Sequence, residues 1–165
     1  MADLAKRSVK YNQLEDKIKI VQWDLREIRN LFQASIFDLV VANPPYRPVK
    51  QGKISELDAV AIARHEVSAT LEDVVMTARY LLNMRGRFAM VHLPERLAEI
   101  IVVMHSVGIE PKRLQFVHSK MGKMPVLALI EGVVGARSGL IVEKPFTIYN
   151  EDGSYHKDIM EYYAR

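Results

Sequence analysis

The sequence predicts an α/β fold, a largely parallel sheet with helices between its strands, finished by an antiparallel hairpin. Three observations lead there. A continuous apolar run, Phe37-Asp38-Leu39-Val40-Val41-Ala42, stops at two prolines. Apolar residues at helical spacing alternate with strand-like runs through the middle of the chain, and the last third holds two strand-like runs on either side of a turn.

Taken in order, Leu4, Ala5, Ser8, Val9 and Asn12 share one helical face, so the chain opens in a helix. Lys17-Ile18-Lys19-Ile20-Val21-Gln22 then alternates as a strand does, and residues 25–32 suit a short helix. The unbroken run at 37–42 suits a strand covered on both faces. After a loop rich in Lys, Gly and Ser, Val67, Leu71, Val74, Ala78 and Leu81 mark the longest helix, with Gly86 as its stop. A strand over 87–92 follows. Pro94-Glu95 opens another helix whose stripe is Leu97, Ile101 and Met104 and which ends near Gly108. Leu114-Gln115-Phe116-Val117 and Val126-Leu127-Ala128-Leu129-Ile130 flank the turn Lys120-Met121-Gly122-Lys123-Met124-Pro125, an antiparallel pair. Pro145 breaks the run 140–148, which makes it an edge strand or splits it, and Asp152-Gly153 turns the chain into a final polar helix.

With 165 residues, 49% of them hydrophobic, the chain supports one domain with a core of its own and is short for two. It has no cysteine, which excludes disulfides, thiolate zinc sites and cysteine nucleophiles and makes a reducing compartment, the cytoplasm, the expectation. No apolar run approaches the roughly 20 residues that cross a bilayer, so no membrane partner is expected. The net charge of +3 permits a local basic surface without requiring a polyanionic partner. No metal site is expected.

Asn43-Pro44-Pro45-Tyr46 carries the chemistry. It follows the apolar strand directly, at the carboxyl end where open α/β sheets place their ligands. The prolines have no N–H, so the carbonyls of Asn43 and Pro44 are acceptors without competing local donors. Two such acceptors, the Asn43 side-chain oxygen and the Pro44 carbonyl, suit an aromatic or amide amine: each holds one amino hydrogen, and the nitrogen is drawn toward tetrahedral geometry with its lone pair free. Tyr46 supplies a ring for stacking on a flat base, which is worth roughly 1–3 kcal/mol and favours a base leaving its own stack. The plainer alternative is a rigid strand exit, since prolines end strands. Arg47, Lys50 and Lys53 follow the turn, and Lys112, Arg113, Lys120 and Lys123 gather around the hairpin; both groups suit phosphates or a solvated face.

Together with Ala63-Arg64-His65-Glu66, Leu93-Pro94-Glu95-Arg96-Leu97-Ala98-Glu99-Ile100 and Pro111-Lys112-Arg113-Leu114, the turn resembles the bacterial family that methylates an adenine amine beside the tRNA anticodon, and nearly the whole chain is covered. The resemblance implies a class I methyltransferase sheet of Rossmann-like type, S-adenosylmethionine as methyl donor, and tRNA as partner. It implies that residues 43–46 hold the target base, that Asp24, with Leu25 beside it, contacts the cofactor's adenine while Asn43 also borders the cofactor, and that Arg64, His65 and Glu66 lie toward the substrate with Arg47 and Lys50. An N-cap role for Asp24 is open alongside.

The family's glycine-rich cofactor turn and its preceding strand have no counterpart, because no Gly-x-Gly occurs and every glycine follows the turn at 43–46. The expectation is therefore one domain over 1–165, incomplete at its N-terminus and short of the first two strands. Its sheet would carry an unpaired apolar edge that a second copy could cover, its cofactor binding would be weak or absent, and the chain alone is expected to be inactive. Protein glutamine methyltransferases of release factors use the same Asn-Pro-Pro-Tyr logic and are the competing enzyme reading; a non-catalytic fragment is the third.

Overall fold

In a computed structural model that describes residues 2–46, 69–157 and 159–160, the chain forms a six-stranded mixed sheet with helices packed on one face. Strands β1 (Phe37–Ala42), β2 (Leu82–His92), β3 (Ile109–Lys120), β4 (Pro125–Val134), β5 (Ile141–Val142) and β6 (Phe146–Tyr149) are arranged β1-β2-β4-β3-β5, with β6 also on β3. β1 and β2 are parallel, β4 is antiparallel to both β2 and β3, and β5 and β6 are parallel to β3. The hairpin forms as its turn signals require. Pro145 splits its run: β5 ends at Val142 and β6 begins at Phe146, because proline has no N–H for the ladder.

Helix α1 (Ala2–Tyr11) forms where expected but buries no residue, and Leu4 is 64% exposed. Helix α2 (Leu71–Leu81) starts at Thr70 in a capping box: the Thr70 hydroxyl accepts from the Asp73 N–H at 3.1 Å, and the Asp73 carboxylate accepts from the Thr70 N–H at 2.8 Å. Its buried Leu71, Val74, Val75, Ala78 and Leu81 make one stripe. Val67, expected in that stripe, lies outside the described residues. Helix α3 (Leu97–Ser106) follows a 3-10 turn at Pro94–Arg96 and buries Ile100 and Met104. Gly108, at φ +78°, closes it as expected. These stripes meet Phe88, Met90, Ala128, Ile130 and Leu114 from the sheet to form the core.

Three expectations are corrected. The long helix stops at Leu81 rather than Gly86. Residues 83–86 belong to β2, where the register jumps from Phe37 opposite Leu82 to Leu39 opposite Arg87. Arg85 has φ +69°, and a Cβ on Gly86 would stand 2.9 Å from the Asn83 carbonyl oxygen; glycine serves here to let a bulge fold on itself rather than to end a helix. Lys17-Ile18-Lys19-Ile20-Val21-Gln22 makes no strand. Alternation alone is insufficient, and among the described residues this segment pairs with no strand. Finally, β1 is not covered on both faces. It is the outer strand of the sheet, and its residues pointing away from α2 and α3 are open, Val41 to 70%. The short helix expected over 25–32 forms as a 3-10 helix, Leu25–Asn30. Among the described residues no helix is long and apolar enough to cross a membrane.

Candidate active site at the carboxyl end of β1

β1 delivers Asn43, Pro44, Pro45 and Tyr46 to the end of the sheet where β2 also finishes, at His92. Asn43 is exposed and borders a cavity of about 310 Å³ on the open face, shared with Val41, Ala89, Val91 and Leu129. Its amide oxygen accepts a hydrogen bond from the Tyr46 hydroxyl at 2.8 Å. The acceptor singled out from the sequence therefore points outward and already holds a donor. Among the described residues, nothing donates to the Pro44 carbonyl.

Tyr46 is held from below by His92, ring to ring at 5.4 Å with planes 61° apart. His92 is 1% exposed. Its Nδ1 accepts from the Leu93 N–H at 2.8 Å, so the proton of the neutral ring sits on Nε2. Burial lowers the imidazole pKa, Arg96 lowers it further, and Glu99 opposes both. Arg96 is itself fixed by Glu99, which accepts from Arg96 Nε at 2.8 Å. His92 passed unremarked in the sequence; the signal was a polar residue ending an otherwise apolar strand just before Leu93-Pro94.

A pH dependence follows. Folding holds His92 below its unfolded pKa of about 6.5, so protonation favours the unfolded chain, and stability declines as pH falls through and below about 6.5. Lowered carboxylates such as Asp24 and Glu99 act only in more acidic solution. Thermal melts should show a Tm lower at about pH 5.5 than at about pH 8, and His92→Gln should flatten that difference. An equal slope in the variant would assign it to other groups.

Asp24 caps the 3-10 helix, its Oδ1 accepting from the Arg26 N–H at 2.9 Å and from Arg26 Nε at 3.0 Å. The Arg26 bonds hold its carboxyl down to about 2. Leu25 is half-buried, and its carbonyl accepts from the Thr77 hydroxyl at 3.3 Å. Arg26 lines one recess with Asp73 in the first turn of α2, and that turn lies at the end of the sheet where β1 stops, because α2 runs back from there to the start of β2. A recess of about 400 Å³ lined by Gln22, Trp23, Asp24 and Glu27 opens beside it. A carboxylate and an exposed indole around a recess fit the flat, donor-bearing adenine end of a nucleoside cofactor. Arg47, Lys50, Lys53, Arg64, His65 and Glu66 lie outside the described residues.

Over 165 residues the chain is 24% identical to the tRNA1(Val) (adenine(37)-N6)-methyltransferase of Tolumonas auensis, covering 98% of this chain and 66% of that protein. A protein of the same name from Porphyromonas gingivalis is 27% identical over 132 residues, 79% of this chain and 51% of its own length. The chain resembles tRNA adenine-N6 methyltransferases. It spans between half and two thirds of those relatives. No family model matches. The fold is that of methyltransferases: a solved structure from Agrobacterium tumefaciens, described as a predicted O-methyltransferase, superposes with a TM-score of 0.74 at 19% identity, over 97% of this chain and 70% of that one.

On this methyltransferase fold the cations of the hairpin are partly committed to the protein itself. Lys112 Nζ donates to the Arg137 carbonyl at 3.1 Å, and Arg113 Nε to Glu143 at 2.9 Å. Phosphate contact through these two is thereby less favoured than the sequence alone suggests.

Proposed function

We propose that this chain carries the acceptor-binding half of an S-adenosylmethionine-dependent N-methyltransferase acting on the exocyclic amine of adenine in tRNA, a cytoplasmic substrate. The observation that carries the reading is the Asn43 amide oxygen, exposed beside a cavity in a turn whose two prolines bring no N–H, and accepting one hydrogen bond from the Tyr46 hydroxyl.

Asn43 Oδ1 and the Pro44 carbonyl would each take one amino hydrogen of the base, which draws the nitrogen out of conjugation and aims its lone pair away from the turn. Tyr46, seated on the neutral His92 ring, would stack on the base once its hydroxyl has left Asn43. His92 offers no charge that would compete with the base, because burial keeps it neutral. The cofactor, when bound, supplies an electrophilic methyl group; Asp24 and Leu25 would hold its adenine end. The surplus proton on the methylated nitrogen leaves along the hydrogen bond to Asn43 for water, so no strong base is needed. Arg47, Lys50, Arg64, His65 and Glu66 are assigned to the RNA side, and the open edge of β1 to a second copy.

The test is transfer of radiolabelled methyl groups by the intact protein to tRNA and, separately, to a release factor. Label recovered as N6-methyladenine is the expected result. Label in the release factor would replace this reading with glutamine methylation, and no label in either would leave a non-catalytic fragment.

A further inference from the structure

The strand order places a second feature at the same end of the sheet as Asn43. β1 and β2 finish there at Ala42 and His92, β4 begins there with Pro125, and β3 finishes there at Lys120, opposite Tyr149 of β6. Asn43, the 121–124 turn and Tyr149 therefore share one rim. Ala42 is level with Leu114 of β3, six residues before Lys120, so Tyr149 stands four strand spacings of about 4.8 Å across the sheet and about 20 Å along it, on the order of 25–30 Å from the turn at Asn43.

On the far side of that rim Tyr149 and Tyr155 stack, with ring centroids 5.4 Å apart and planes 23° apart. Tyr155 is 56% exposed. Their backbones are fixed by a bridge between the two residues, by Asn150 Nδ2 donating to the Tyr155 carbonyl at 3.2 Å, and by the His156 N–H donating to the Ile148 carbonyl at 2.8 Å. A rigid ring pair is thus presented to solvent, where it contributes little to the core. Lys120 is the ladder partner of Tyr149, and its Nζ donates to the Glu151 carbonyl at 2.9 Å with two N–H donors to spare. Lys123 and the exposed Met121 and Met124 stand on the adjoining turn. The nearby Asp152 carboxylate is engaged by the Ser154 N–H at 2.9 Å and hydroxyl at 2.6 Å.

Exposed aromatic faces interleaved with lysines match unpaired nucleotides, whose bases stack on rings and whose phosphates meet ammonium groups. We propose that Tyr149 and Tyr155, with Lys120 and Lys123, form a stacking platform for an unpaired base of the RNA substrate, a second hold on the strand whose target base enters at Asn43. This rests on the RNA reading above. A docking surface for a protein would also use the methionines, but it would not call for cations beside the rings.

Fluorescence anisotropy with a labelled RNA hairpin bearing an unpaired loop, and with a blunt duplex of equal length, tests the platform on the intact protein. Tyr155→Ala should weaken hairpin binding by about tenfold or more and leave duplex binding unchanged, and Tyr155→Phe should bind as the parent does. Tyr155→Leu preserves apolar packing on Tyr149 and should be as weak as Tyr155→Ala. Parental hairpin affinity in Tyr155→Ala or Tyr155→Leu, equal loss on hairpin and duplex, or capture of a release factor with no RNA binding by the parent protein would each overturn the proposal. If hairpin binding depends on Tyr155 but tRNA is never methylated, the platform stands and methyl transfer fails. If tRNA is methylated with an unchanged KM by Tyr155→Ala, methyl transfer stands and the platform fails.

Discussion

Asn43→Ala in the intact protein should lower methyl transfer by about a thousandfold while leaving cofactor affinity nearly unchanged. The side-chain oxygen is one of two acceptors that reshape the amine, and removing a single preorganised hydrogen-bonding group from a reacting centre costs about 10²–10³ in rate. Misplacement of the remaining partner adds to that loss. Cofactor affinity is spared because the residue faces the acceptor. Tyr46→Phe separates ring from hydroxyl: it keeps the stacking face on His92 and frees the Asn43 oxygen that the hydroxyl holds at 2.8 Å, so activity should persist. Single-turnover rates and isothermal titration with S-adenosylmethionine measure both. Wild-type turnover in Asn43→Ala would remove the residue from the mechanism, and a Tyr46→Phe variant as inactive as Asn43→Ala would assign the hydroxyl a direct part.

Phe88→Ala should destabilise the fold by about 3–5 kcal/mol, the range for deleting a buried aromatic ring. Phe88 is fully buried in β2, opposite Val40 of β1 and Gly132 of β4, within the core formed with Val75, Ile100 and Met104. The space over Gly132 is already taken by Met104 and Ile109, so the hole left by the ring closes only if those side chains move. Urea unfolding gives the difference. A loss near 1 kcal/mol would mean that the neighbours relax into the hole. Val41→Ala is the control, because that side chain is largely in water and its truncation should be nearly neutral. A large cost there would reveal that something covers the open face in solution.

Much of the fold was legible in the sequence because local rules govern it. The proline at 145, the turn at 121–124 and the stripes of α2 and α3 each state their structure within a few residues. What failed was what depends on neighbours. The run at 37–42 reports that β1 is apolar, but apolar composition cannot report that only one side meets helices. Alternation over 17–22 likewise specifies a shape without a partner, and Gly86 reads alike as a helix stop or as the tight point of a bulge. At the site, the turn at 43–46 was visible because proline leaves a chemical signature in sequence. His92 was not, since its meaning comes from a ring 46 residues earlier. Asp24 lay between: its capping role is local and was readable, whereas its forked bond to Arg26 depends on a rotamer.

The phenol at Asn43 has a consequence for which purines the turn can admit. A group that displaces it must bring its own hydrogen to the amide oxygen, as an amino substituent does. A keto substituent at the same ring position offers only lone pairs, which face the lone pairs of Asn43 and leave the phenol in place. Guanine and hypoxanthine could reach the amide oxygen only through the neighbouring N1–H, which leaves the Pro44 carbonyl without a hydrogen, whereas the 6-aminopurine of the proposed reaction serves both acceptors from one nitrogen.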